Sequence, residues 1–284
     1  MGVGSGDPRR WGKLAAMATA DAEQSLQTEY WNGPAGERWA RFQEKLDASM
    51  ASIAEVLLTA VAPRPTDRVL DIGCGAGATT RLLAAKASSA LGVDVSRPML
   101  EVARRLGGNY LEADAAAYPF EPVFDCVVSR FGVMFFSDPV AAFTNIRRAF
   151  APDARMTFVC WRTTEENTWA TLPLRAAGDL VPRPTASDPH APGPFAFADP
   201  KRVASILSSA GYRDVSVEPR DTTMHLGATL EDATEQTMSM GPLARALADL
   251  SEDVRPKIRD RVQSALRESG TSLPAAIWLV RASG

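Results

Sequence analysis

The run Val69-Leu70-Asp71-Ile72-Gly73-Cys74-Gly75-Ala76-Gly77 constrains the fold more than any other segment. Apolar residues enter it, an acid sits near its edge, and three alternating glycines turn the chain. Thr79 to Leu83 then resume a helical pattern. A buried strand therefore ends in a tight turn that opens a helix. Glycine takes positive φ and lets a ligand approach the backbone with no Cβ in the way. That geometry suits a nucleotide-containing cofactor.

Alternating strand and helix signals surround this turn. Strands are expected at Arg68–Ile72, Ala90–Val95, Tyr110–Ala113, Phe124–Ser129 and Ala154–Trp161, with short ones at Val215–Val217 and Ala275–Val280. Helices are expected at Thr79–Ala87, Pro98–Leu106, Pro139–Phe150 and Asp199–Ala210, with Ser96, Asp138 and Asp199 as N-caps. Such alternation specifies a doubly wound α/β sheet whose parallel strands end on one edge.

Ahead of the sheet, residues 21–62 read as a separate helical piece carrying Tyr30, Trp31 and Trp39. Residues 163–198 form a long Pro-, Gly-, Ser- and Asp-rich connection, and residues 223–271 read mainly as helix. Long ordered connections of this kind are often lids or binding loops. The first 20 residues are expected to be a disordered lead; Lys13 interrupts their apolar stretch, which argues against a signal peptide.

Net charge is −3, which gives no support to nucleic-acid binding through bulk charge. No apolar run approaches the roughly 20 residues needed to span a bilayer. Cys74, Cys126 and Cys160 are scattered and odd in number. Free buried thiols in a reducing, cytoplasmic compartment are expected. With only His190 and His225 and no clustered ligand spacing, no metal site is expected.

The glycine run fits two patterns. As G-x-G-x-x-A it is a degenerate dinucleotide fingerprint. Counted from Asp71 as D-x-G-x-G-x-G, it resembles the first motif of class I S-adenosylmethionine-dependent methyltransferases. Asp94 at the end of the second strand and Asp114 after the third favour the second pattern. Leu91–Leu100 resembles that family's second motif and Phe124–Ser129 its fourth. Arg147–Arg155 resembles the helix–turn before the fifth strand, with Asp153-Ala154 where a glycine is usual. The likeness is closest to the subgroup of quinone-biosynthesis C-methyltransferases, many of which act on small molecules.

The resemblance implies a Rossmann-like sheet of seven strands in the order 3-2-1-4-5-7-6, strand 7 antiparallel. That sheet would comprise residues 63–222 and 272–284, with an N-terminal helical lid and a helical insertion before the last strand. Residues 163–198 and 223–271 would supply substrate-side cap segments. The implied cofactor is S-adenosyl-L-methionine, leaving as S-adenosyl-L-homocysteine. Asp71 would serve its amino-acid end, Asp94 the ribose hydroxyls and Asp114 the adenine. Gly73, Cys74, Gly75, Gly77, Val95, Met99, Ala115, Ser129 and Arg130 would line the same site. Tyr30 and Trp31 either cover the cofactor or pin the lid, since aromatic faces attract a sulfonium cation.

Phe131, Met134, Trp161 and Trp169 are candidates for an apolar acceptor pocket. His225 is the candidate general base, because an imidazole titrates near neutrality. The acceptor atom, whether O, N or C, stays open. Two other readings stand beside this one. A cofactor-binding protein without transferase activity would leave apolar faces on residues 229–270 for a partner or a homodimer. An NAD-type oxidoreductase would need a proton-relay Tyr–Lys or His near the cofactor.

Overall fold

The computed structural model describes residues 22–182, 188–248 and 250–284. Its strands are β1 (Arg68–Ile72), β2 (Ser89–Asp94), β3 (Asn109–Glu112), β4 (Phe124–Arg130), β5 (Phe150–Trp161), β6 (Arg213–His225) and β7 (Ser272–Ser283). They form one sheet in the order β3-β2-β1-β4-β5-β7-β6. Pairing is parallel from β3 through β5, and β7 runs antiparallel between β5 and β6. The implied strand order and the inverted last strand are both present.

Four helices precede the sheet: α1 (22–32), α2 (Pro34–Arg41), α3 (Gln43–Ser49) and α4 (Ala51–Val61). The crossover helices are α5 (Ala78–Ala84), α6 (Arg97–Arg105) and α7 (Pro139–Arg147). After β5 come α8 (Thr168–Ala177) and α9 (Pro200–Ser209). Between β6 and β7 lie α10 (Leu230–Ser239), α11 (Gly241–Leu247) and α12 (Arg255–Ser269). The lead at residues 1–20 lies outside the described residues. Among the described residues, no helix is long and apolar enough to cross a membrane.

The central strands are apolar on both sides because helices cover both faces. On β5, Phe158 packs against Phe143 of α7 and Phe197. Arg155, of opposite parity, reaches the Val61 carbonyl at the end of α4 and pairs with Asp67 at 2.6 Å. Side chains alternate along a strand, so α4 and α7 lie on opposite faces. Asp138 and Asp199 cap α7 and α9 as expected, accepting from Ala141 N and Lys201 N at 2.9 Å. Ser96 occupies the cap position of α6, but its hydroxyl donates instead to the Trp31 carbonyl at 2.7 Å.

Two strands are much longer than expected: β6 has 13 residues and β7 has 12. Beyond Trp161, the end of β5, residues 272–276 of β7 pair with β6 alone, from Ala276 opposite Asp221 to Ser272 opposite His225. The polar run Arg220-Asp221-Thr222-Thr223 hides this arm from a reading based on hydropathy. An edge strand tolerates such residues because much of it meets solvent.

The turn before the body of β5 shows why a glycine is usual there. Asp153 takes φ +61°, in the left-handed region where a side chain is strained. We predict that Asp153→Gly raises the thermal midpoint. Asp153→Val should lower it, through a loss of about 1–2 kcal/mol of stability, since a branched side chain is disfavoured most at positive φ. Calorimetric unfolding of the two variants checks both signs.

Candidate active site

The carboxyl ends of β1, β2 and β4 open into a cavity of about 820 Å³, a volume usual for small-molecule sites. Its floor is the glycine turn. Gly73 takes φ +65°, and a Cβ there would sit 2.6 Å from the Cα of Gly132, just after β4. The two loops therefore meet backbone to backbone, leaving a cradle that any side chain would fill.

Three carboxylates border this cradle. Asp94, at the end of β2, accepts from Gly75 N at 2.7 Å and Ser96 N at 2.8 Å, one bond on each oxygen. Burial pushes its pKa up, and the backbone N–H groups oppose that shift. Each oxygen keeps a further acceptor position. Asp114 accepts from Ala116 N through Oδ1 at 2.8 Å and also lines the cavity.

Asp71 is nearly inaccessible and lines the cavity. Its Oδ2 accepts from Thr80 Oγ1 at 2.6 Å, while its buried Oδ1 has no partner. Desolvation pushes its pKa up to about 7, with Thr80 and Arg130 acting in opposition. A buried acceptor without a partner is expensive, and this oxygen is open to a donor or a cation.

The N-terminal helices close over the cradle. Asn32 donates to the Val95 carbonyl at 2.8 Å and accepts from Arg97 N at 2.9 Å. Trp31 makes edge contacts with Tyr30, Trp39 and Phe135 at centroid distances of 5.3, 5.9 and 5.2 Å. It also lines the cavity, as does the more exposed Tyr30. Trp31 thus lines the cavity and also packs the N-terminal helices against Phe135.

An aromatic wall continues away from the cradle. Phe131 stacks on Trp161 at 4.2 Å and 12°, and Trp161 meets Trp169 at 4.8 Å. Phe131 has φ +71°, an outlier for a bulky residue. Such strain is of order 1–3 kcal/mol and persists only where the surroundings enforce it. Here the Phe131 N–H donates to the Val159 carbonyl at 3.1 Å while the ring seats on Trp161.

Buried Asn167 holds the wall in place. Its Oδ1 accepts from Ala276 N and Trp169 Nε1, both at 2.9 Å. Its Nδ2 donates to the carbonyls of Thr163 at 2.9 Å and Ala276 at 3.1 Å.

Most of the expected site residues line this one cavity: Tyr30, Trp31, Asp71, Gly73, Cys74, Gly75, Asp94, Val95, Met99, Asp114, Ala115, Arg130, Phe131, Met134, Trp161 and Trp169. Three do not. Gly77 lies behind the turn, where a Cβ would fall 2.2 Å from the Tyr110 hydroxyl; its need for glycine is steric. Ser129 is fully buried and donates to the Ile72 carbonyl at 2.8 Å, fastening β4 to β1. His225 is exposed, with Nδ1 2.8 Å from Ser272 Oγ. Its neighbours Met224 and Leu226 line the cavity, so strand alternation turns His225 away from it. The candidate general base is therefore corrected to a surface residue.

Other lining residues were not anticipated. Asp47 of α3 is one, paired with Arg130 at 3.1 Å. Arg38 of α2 and Arg245 of α11 line the cavity with no ion-pair partner among the described residues. Gln236 and Thr237 of α10 complete the far side. Their helical spacing resembles that of ordinary surface or core positions, so no local signal marks them.

Residues 70–158 match the family model described as "Methyltransferase domain". The demethylmenaquinone methyltransferase of Clavibacter sepedonicus is 30% identical over 179 residues, 58% of this chain and 72% of the relative. That of Corynebacterium kroppenstedtii is 28% identical over 162 residues, covering 54% and 71%. This chain belongs to the class I S-adenosylmethionine-dependent methyltransferases. Among solved structures, phosphoethanolamine N-methyltransferase 2 of Haemonchus contortus, in complex with S-adenosyl-L-methionine, shares the fold. The TM-score is 0.56 at 19% identity, over 90% of this chain and 59% of the other. The methyltransferase cradle suits its cofactor class: an unpartnered buried carboxylate oxygen and a floor stripped of Cβ atoms.

The raised pKa of Asp71 has a measurable consequence. Between pH 4 and pH 7 the folded, ligand-free methyltransferase holds a proton that the unfolded chain has released. Stability therefore falls as pH rises through that window, by about 4 kcal/mol for a shift of this size. Asp94 acts in the same direction. We predict that Asp71→Asn flattens most of this slope in denaturant titrations run from pH 4 to pH 8.

Proposed function

We propose that this methyltransferase transfers the methyl group to a small, largely apolar aromatic acceptor lying along the Phe131–Trp161–Trp169 wall. The observation that carries the reading is the position of that wall, in the same cavity as the acid-bordered cradle. The two relatives named as demethylmenaquinone methyltransferases support the same reading.

In the cradle, Asp71 Oδ1 would receive the cofactor's ammonium, Asp94 the ribose hydroxyls and Asp114 the adenine amino group. Arg38 is the candidate cation for the cofactor's carboxylate. Arg130 is already paired with Asp47, and α2 packs on α6 beside the Asp94 loop. When bound, the cofactor supplies a sulfonium-activated methyl group. An acceptor held against the wall would take that methyl group with its own electron pair, the C–S electrons staying on sulfur.

The protein's contribution is alignment and exclusion of water, which can supply ~7–11 kcal/mol. Trp31, Phe135 and the aromatic wall keep water out, and the strained Phe131 fixes one side of the acceptor's plane. No lysine or histidine lines the cavity among the described residues. This favours an acceptor that arrives with its nucleophile already deprotonated. It also removes the proton-relay pair that a dinucleotide oxidoreductase would need.

Calorimetry with S-adenosylmethionine and S-adenosylhomocysteine tests the cofactor assignment. Asp94→Asn should weaken both by roughly tenfold to a hundredfold, the effect of losing charge from two hydrogen bonds. Affinity of the native protein should rise as pH increases through about 7, where Asp71 ionises, and Asp71→Asn should remove that dependence. Absence of binding by both compounds would refute the assignment.

A further inference from the structure

The cap side of the cavity holds a polar group that the cofactor reading does not use. Thr237 on α10 is 5% exposed and lines the cavity, and its Oγ1 has no hydrogen-bond partner. A helical threonine ordinarily satisfies its hydroxyl on the carbonyl four residues back. Thr234, one turn earlier, does so with Leu230 at 2.7 Å. Thr237 forgoes that bond and leaves a buried hydroxyl at the cavity surface, an arrangement unfavourable without a ligand.

Arg245 lies on the next helix. It is exposed and also lines the cavity, which places it at the mouth, and it has no ion-pair partner among the described residues. Apart from Arg245, the lining from α8, α10 and α11 is uncharged, with Trp169, Leu174 and Leu243 beside the polar Gln236 and Ser239. Asp47, the acidic residue of α3 in the lining, is neutralised by Arg130.

We infer that the acceptor is a planar aromatic compound bearing an anionic oxygen group, such as a carboxylate or phenolate. The Thr237 hydroxyl donates to that oxygen, and Arg245 supplies the opposing charge. This rests on the methyltransferase reading of the cavity and specifies its acceptor. A neutral ring of the same shape would leave the hydroxyl without a charged acceptor and the guanidinium without a counterion. Specificity then comes from α10 and α11, the insertion between β6 and β7, rather than from the sheet.

The test uses the full chain saturated with S-adenosylhomocysteine, titrated calorimetrically with 2-naphthoate and with its neutral isostere 2-naphthamide. Naphthoate should bind about tenfold more tightly, as expected for a hydrogen bond to a charged group. Arg245→Gln should abolish the preference. Thr237→Val should reduce naphthoate affinity several-fold and leave that for naphthamide unchanged. Both variants should retain native affinity for S-adenosylhomocysteine. Ligand-free Thr237→Val should also melt at a higher temperature than the parent, since it loses an unpaired buried hydroxyl.

Equal affinity for the two probes, a preference that survives in both variants, or no binding of either probe overturns the proposal. Failure of the native chain to bind S-adenosylhomocysteine would overturn the methyltransferase reading beneath it, and this inference with it.

Discussion

One carboxylate organises the cofactor end of this molecule. Asp94 closes β2 and accepts a backbone N–H on each oxygen, one from the glycine turn after β1 and one from the start of α6. Charge-assisted bonds of this kind are the strong ones, and they offset part of the desolvation of a nearly buried acid. The turn is thereby held where Gly73 and Gly132 touch. The lid depends on the same place, because Asn32 and the Trp31 carbonyl are bonded to residues 95–97. Loop, lid and helix start are tied to one strand end.

The acceptor end is assembled differently. There α3 meets α10, through Gln236 Nε2 donating to Ser49 Oγ at 2.5 Å and through Lys45 with Glu235 at 2.9 Å. The exposed ion pair contributes little. The buried amide–hydroxyl bond is the more specific contact, because a mismatch there would leave polar atoms unpaired. Asn167 plays the corresponding part under the aromatic wall, its amide bonded to β7, Trp169 and the Thr163 carbonyl. The far side of the cavity is thus held together by a few satisfied polar groups.

Much of this was legible in the chain. The apolar strands, the acids at their ends and the glycine turn are encoded within a few residues of one another. Strand alternation with helices then places those acids on one edge. The errors share a physical origin. His225 looked available because it was the one histidine near that edge, but strand parity turned it outward. Gly77 and Ser129 were expected at the cofactor because the family resemblance implies them there. Glycine at 77 answers instead to the Tyr110 ring, and the Ser129 hydroxyl to the Ile72 carbonyl. The β6 arm was missed because an edge strand facing solvent has no apolar alternation to read.

The sequence by itself determined the sheet, its order through the family resemblance, and the acid-bordered turn, because short-range patterns specify each of them. Only the tertiary structure decided what faces the aromatic wall. Ser49 and Gln236 meet across 187 positions, and Asn167 meets Ala276 across 109. Contacts over such separations are set by how the helices pack on the finished sheet, and no local pattern of residues carries them.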